Sequence, residues 1–435
     1  MQRIQKILSA RVVFVPFIVA FALYGLFLLI SQPRATEAVG KLPQTSEVTL
    51  PLTANTGTYK IIGWNDLGMH CMNENYANLA VLPPYNTLWA QLIRQGPQPQ
   101  IITNSVTIQY NIIDNTYSAG KTNFFQYAAK LFPGSPSATQ IDVGLTGAKL
   151  AGNMDAKKDH FVIEGIPLTP YRDSAPQPIP ANWYPYQQAH IVAKDSATGQ
   201  ILAETTTVAP VSTEMRCETC HADGKDPGGR TGNVETNILT LHDRENGTNL
   251  MNSRPVLCAS CHGSNALGAP GNPNLPNLSR AMHGKHAEET NDCYLCHPGQ
   301  QTQCLRDTMY QKGMTCTACH GSMSQVSSSN RQPWIDLPRC GTCHSAQFAE
   351  NPGKLYRNSV GHGGLYCEAC HGSPHAILPT MQPNDNIQNI ALQGHAGTLD
   401  DCRVCHGTIP SGAGPHGISY KPKNNSFLYL PLIRR

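Results

Sequence analysis

The sequence predicts a multidomain chain. An N-terminal all-β, sandwich-like domain is followed by a domain of mostly irregular chain and short helices, whose interior its own side chains cannot fill. Three observations carry this. Residues 45–212 hold a single cysteine, Cys71, most of the aromatic residues, and segments that alternate apolar and polar side chains with period two. From Cys217 onward the composition turns to Gly, Pro, Asn and Ser, with one Trp (Trp334) and, before the C-terminal tail, one Phe (Phe348). Of the sixteen cysteines, fifteen fall in that second stretch.

The first element is the N-terminus. Arg3, Lys6 and Arg11 precede an uncharged run from Val12 to Ile30, interrupted only by Pro16. That run is about the length of a bilayer-spanning helix, and Ser31-Gln32-Pro33-Arg34-Ala35 makes a poor cleavage site. Residues 1–34 are therefore expected to be an uncleaved membrane anchor, with a secretory signal as the alternative. Under either reading the leading positive charges place the rest of the chain outside the cytoplasm, in the periplasm or at the cell surface, or secreted if the segment is removed.

The β-rich domain, residues 45–212, can build an ordinary core from Trp64, Trp89, Trp183, Phe124, Phe125, Phe132 and Phe161. Ser105 to Ile112 alternates with period two, and His160 to Ile163 does so more weakly. Ala189–Ala193 and Ile201–Val208 flank Ser196-Ala197-Thr198-Gly199, which reads as a hairpin turn.

The second domain, residues 213–420, carries seven copies of Cys-x-x-Cys-His. They are Cys217/Cys220/His221, Cys258/Cys261/His262, Cys293/Cys296/His297, Cys316/Cys319/His320, Cys340/Cys343/His344, Cys367/Cys370/His371 and Cys402/Cys405/His406. Two thiols three positions apart can add to the two vinyl groups of one haem, and the adjacent histidine then lies under the iron. Zinc sites would not place a histidine after every thiol pair, and a thioredoxin-type centre would need one pair only. Seven haem c groups are the expected cofactors, and they would supply the missing apolar volume.

Across Cys217 to His416 the chain thus resembles the multihaem c-type cytochromes. The resemblance implies a haem-packed domain with little regular secondary structure, haems close enough for tunnelling, and a role in respiratory or extracellular electron transfer.

Seven further histidines lie in the same stretch: His242, His283, His286, His362, His375, His395 and His416. Seven spare imidazoles for seven irons favour ligation on both faces, a closed arrangement suited to electron transfer rather than to substrate chemistry. His283 and His286 stand too close together to serve one iron, so two different haems are expected. Met215, Met282 and Met314 are alternative ligands that would raise a haem's potential. His70, His160 and His190 are expected to be structural. His70, within Asp66-Leu67-Gly68-Met69-His70-Cys71-Met72, also has the makings of a copper ligand or a reach to the nearest haem. Cys71 and Cys304 remain once the motifs are counted, and are either a disulfide or two separate thiols.

Formal net charge is +3, which gives no reason to expect nucleic acid as a partner. Seven haems with their propionates would move it to about −4 oxidised and about −11 reduced. The expected function is electron transfer between a redox protein or quinol-linked membrane donor and a periplasmic or extracellular acceptor, with no catalytic residue. Two alternatives stay open: a multihaem oxidoreductase with one open-site haem, and a homo-oligomer or filament subunit. The tail, residues 421–435, ends in an apolar run and two arginines, and reads as an edge strand, a docking segment or a sorting signal.

Overall fold

The computed structural model describes residues 58–174, 183–221 and 233–419. All of them belong to one compact unit, Glu47–Arg435. The expected anchor at Val12–Ile30 and the C-terminal tail lie outside the described residues. Among the described residues no helix is long and apolar enough to cross a membrane.

The β-rich part forms two five-stranded sheets. One comprises β1 (Tyr59–Trp64), β4 (Asn86–Arg94), β9 (Phe161–Ile166) and β8 (Asp155–Ala156), in that order, with β5 (Gln100–Ile102) also on β4. The other runs β2 (His70–Cys71), β11 (Ile201–Ser212), β10 (Tyr186–Asp195), β6 (Val106–Ile112) and β7 (Ala151–Asn153). Their inner faces share one core. Ile61, Leu88, Ala90 and Leu92 of the first sheet pack with Ile108, Tyr110, Ile112, Ala189 and Ile191 of the second, all essentially buried. The period-two segment read from Ser105 is β6. The hairpin at Ser196–Gly199 joins β10 to β11, whose register runs from Tyr186↔Pro210 to Lys194↔Ile201. The Asp195 carboxylate accepts from the Ala197 and Thr198 amides, and Gly199 takes the positive φ of 74° that closes this turn.

The β-rich part also contains α1 (Phe124–Leu131), which buries Phe124, Ala128 and Leu131. These three recur at helical spacing and bury together. This helix departs from the all-β expectation for residues 45–212.

The cysteine-rich part has short helices: α2 (Val234–Asn246), α3 (Leu278–His286), α4 (Cys316–His320), α5 (Met323–Val326), α6 (Cys367–His371), α7 (Pro383–Gln393) and α8 (Arg403–His406). Asn233 and Asn277 cap α2 and α3 through their side chains. This part lies against the sandwich along its length. A short β12 (Val256–Leu257) pairs in parallel with β3 (Leu79–Ala80). The outward face of β1 and β4, Ile62, Trp64 and Ile93, packs against Tyr366, Ala369, Leu399 and Val404. That second covering is why Ile61 to Trp64 is buried on both faces. At the tightest approach Gly68 (φ 75°) meets Pro374, and an added Cβ there would fall 1.8 Å from the Pro374 carbonyl oxygen.

One fully buried ion pair ties the parts together. Arg306 donates to Asp385 at 2.6 and 2.8 Å and, through Nη1, to the Gly68 carbonyl at 2.8 Å. Asp385 beside it pushes the Arg306 pKa upward despite complete burial.

Candidate functional site

Each Cys-x-x-Cys-His run folds as a single helical turn. The His221, His262, His297, His344 and His406 amides donate to the carbonyl of the first cysteine of their own motif at 2.8–3.0 Å. The fourth and sixth motifs are the whole of α4 and α6. One such turn brings residues i and i+3 to the same side with i+4 beside them, so both thiols and the imidazole face one space. Burial pushes four of the first thiols, Cys217, Cys258, Cys316 and Cys340, up to about 11. Burial likewise holds His297 down at about 4, neutral and able to donate its lone pair to a metal.

The two cysteines of a motif are not equally enclosed: Cys220, Cys261, Cys296, Cys319 and Cys343 are exposed, whereas the first cysteine of each of those five motifs is half-buried. The physical reason is what lies over the turn. In the last two motifs the sandwich covers it, and Cys370 and Cys405 are half-buried against the cluster of Ile62, Trp64 and Ile93. Over the other five second cysteines the described residues supply no such apolar cover, and an attached haem would supply it there.

The structure brings six of the seven spare histidines to six motif histidines. His286 stands 6.1 Å from His221 between ring centres, and His242 stands 6.2 Å from His262. His283 and His297 are 6.1 Å apart, and His375 and His320 6.0 Å. His416 and His371 are 5.8 Å apart, and His362 and His406 6.0 Å. Histidine nitrogen binds such metals at about 2.0–2.1 Å, and the ring centre lies about 1.2 Å farther, so two rings on opposite sides of one ion stand roughly 6.4 Å apart. Each pair joins one motif histidine to one spare histidine. His283 and His286 face different motifs, as their spacing demands.

In several of these rings Nδ1 is occupied by protein, which leaves Nε2 for the ring opposite. His283 Nδ1 donates to the Ser279 carbonyl and His286 Nδ1 to that of Met282, both at 2.7 Å. His262 Nδ1 donates to Pro276 O and His416 Nδ1 to Gln347 O, both at 2.8 Å. His406 reaches the sandwich, at Pro97 O, 3.3 Å. His221 pairs with the Asn237 side chain, and His242 with Thr248. His375 and His416 are non-glycine residues at φ 64° and 57°. That conformation costs on the order of 1–3 kcal/mol and is a usual mark of a functional position.

Shared elements make the motifs neighbours. α3 carries both His283 and His286, which links the first motif to the third. Partial desolvation and then Cys220 beside it push the Cys296 thiol up, which places the same two motifs together. α2 carries Asn237 against His221 and His242 against His262, which links the first to the second. The Cys316 thiol lies against Cys293, joining the fourth to the third. An open cavity of about 550 Å³ runs from Cys319 and His320 to Arg339, beside the fifth motif. Burial, then Asp307 and Cys343, push the Cys319 thiol up, so the fourth and fifth motifs are also within electrostatic reach. Gln347, just past the fifth motif, holds His416 opposite the sixth. Leu399, just before the seventh, donates to the Cys370 carbonyl. The order in space is thus second, first, third, fourth, fifth, sixth, seventh.

These residues fit haem. Of the eleven exposed large apolar side chains among the described residues, Tyr117, Ile141 and Ile201 lie in the β-rich part and eight, Leu275, Met282, Ile335, Phe348, Met381, Ile390, Ile409 and Ile418, lie in the cysteine-rich part, where a porphyrin would cover such surface. Residues 322–372, which span the fifth and sixth motifs, match the family described as cytochrome c554 and c-prime. The match supports a multihaem c-type cytochrome, with haem c as cofactor and haem-based electron transfer as the general role. No curated protein and no solved structure matched the chain.

His344 and His395 are not brought together with any histidine. His395 Nδ1 donates to the Ala396 carbonyl at 3.0 Å, and its Nε2 points to Asp400 at 3.4 Å. His160 stacks on Trp89 at 4.2 Å, and His190 faces Glu204 at 3.3 Å. His70 is buried against Asp66 and Tyr85. Met72 belongs to the sandwich core, and among the described residues no group of three or more His, Cys, Asp or Glu is placed to hold a metal ion. Cys71 and Cys304 are both free thiols, and each is pushed upward by burial, Cys304 to about 11. Sequence reasoning missed one part: Cys304 Sγ lies 3.9 Å from His375 Nδ1, behind the imidazole that faces His320.

Proposed function

We propose that the chain is a conduit that carries electrons along seven covalently attached haems, between a membrane or periplasmic donor and an acceptor outside the cytoplasm. The haems supply the one-electron chemistry. The chain's residues attach them through fourteen cysteines and cap six of the seven with imidazole on both faces. They fix those imidazoles through Nδ1 and set the haems in a line that begins at the second motif and ends at the seventh. The observation that carries the reading is the pairing of six motif histidines with six spare ones, and only with those. A closed, doubly capped site offers no place for substrate and reorganises little on reduction. The sandwich backs the line at both ends, through β3 against β12 and through Pro97 against His406.

A stepwise reductive titration of the purified protein, followed in the visible spectrum, tests this. Seven electrons taken up per chain, spread over a broad potential range and with low-spin spectra for most haems, would support it. Uptake of one or two electrons would overturn it.

A further inference from the structure

We propose that His344 is the only histidine this chain gives to the haem of the fifth motif, so that this one site takes a small external ligand. The inference rests on the haem-bearing reading above and reaches beyond it, because it gives a line of closed sites one open member.

Every imidazole of the chain has a place. The chain has seventeen histidines, and none lies in the residues outside the described ones. Twelve form the six pairs. His70, His160 and His190 are committed inside the sandwich part to Asp66, to Trp89 and Asp159, and to Glu204. That leaves His344 and His395. In the pairs, imidazoles such as His283, His286, His262 and His416 spend Nδ1 on a backbone carbonyl and keep Nε2 for the ring opposite. His395 instead turns Nε2 to the Asp400 carboxylate, on a loop tied to the sixth motif by Thr398 beside His371 and by Leu399 on Cys370. The stretch 341–348 around His344 is exposed throughout, and among the described residues no ring stands opposite His344. The fifth motif is also internal to the line, between the fourth and the sixth, so an open site there is wired on both sides.

A haem with one protein imidazole binds small π-acceptor molecules such as carbon monoxide or nitric oxide when reduced, and small anions such as cyanide when oxidised. That is the ligand class expected here.

The test uses the full-length haem-loaded protein, with haem content fixed first by intact mass and carbon monoxide as the probe. The dithionite-reduced protein should bind one carbon monoxide per chain, and the oxidised protein should show a high-spin ferric signal amounting to one haem in seven. His395→Ala should leave both unchanged. His416→Ala, which strips the partner of His371, should raise binding to two per chain and serves as the positive control. The proposal is overturned if the fully loaded wild type binds no carbon monoxide. It is equally overturned if His395→Ala creates the binding site, which would make His395 of this or a second copy the missing cap, or if the oxidised spectrum shows a methionine–iron band. A protein that lacks haem by mass overturns the conduit reading instead, which keeps the two failures apart.

Discussion

The sandwich and the cysteine-rich part solve the same packing problem with different materials. In the sandwich, side chains from two sheets close on each other, and Ile61, Leu88, Ile108 and Ile191 are fully excluded from solvent. Beyond Cys217 the buried apolar side chains among the described residues are Leu239, Ala259, Leu278, Tyr366, Ala369, Ala376, Leu378, Leu399 and Val404. Four of these, Tyr366, Ala369, Leu399 and Val404, are buried against the sandwich's outer face. The rest of that part sets pairs of imidazoles opposite one another and leaves eight large apolar side chains exposed. Chain composition thus separates an interior built from side chains from one that, on the proposed reading, an attached haem would fill.

The largest expected effect comes from withholding haem. Produced without haem attachment, the full chain should keep the β-sheet circular dichroism of the sandwich, while limited proteolysis cuts first beyond Ser212. Equal protection of both parts would break the comparison, because it would mean that the cysteine-rich part holds itself together.

Next is the joint between the parts. Replacing Arg306 with Met strands the Asp385 carboxylate in a fully buried site, at a cost of about 3–5 kcal/mol. Adding Asp385→Leu should recover most of it, because a buried pair contributes little beyond its apolar replacement. Denaturant unfolding of the three haem-loaded proteins measures this. A single variant within about 0.5 kcal/mol of wild type would show that the joint does not need the pair.

What the sequence disclosed follows the same division. Strand alternation marked β6 because one face of it is buried, and the turn at Ser196–Gly199 was legible from its residue types. α1 was not read, because two adjacent phenylalanines look alike in a strand and in a buried helix. In the other part the attachment motifs were legible at once, since their chemistry is local. Their surroundings were not, because the exposure of Cys220, Cys261 and Cys343 beside the half-burial of Cys370 and Cys405 depends on where the sandwich reaches. The pairing was hidden as well: His286 lies 11 residues before His297 in the chain yet faces His221, and only the helix that carries it decides that. The mismatch of His344 and His395 lay behind an equal count of seven and seven. The line order, with the second motif ahead of the first, depends on α2 and α3 and has no signature in spacing.

A smaller effect concerns acid. Arg403 donates to Asp401 at 2.7 Å and holds that carboxyl below its ordinary range, just ahead of the seventh motif. A carboxyl with a depressed folded pKa contributes stability above its unfolded value, near 3.9, and loses it as pH falls through the lower folded value. Asp401→Asn should therefore destabilise the protein slightly at pH 6, by less than about 1 kcal/mol, because its Arg403 partner is exposed. The difference should vanish near pH 2–3. A gap that stays constant down to that pH would assign the effect to something other than the charge.

The central claim is that attached haem fills the second part, and intact mass spectrometry of the purified, denatured protein tests it most directly. The expected mass exceeds that of the polypeptide by seven haems, retained after denaturation because the bonds are covalent. A mass equal to the bare chain, or to the chain with cysteines merely oxidised to disulfides, would contradict it.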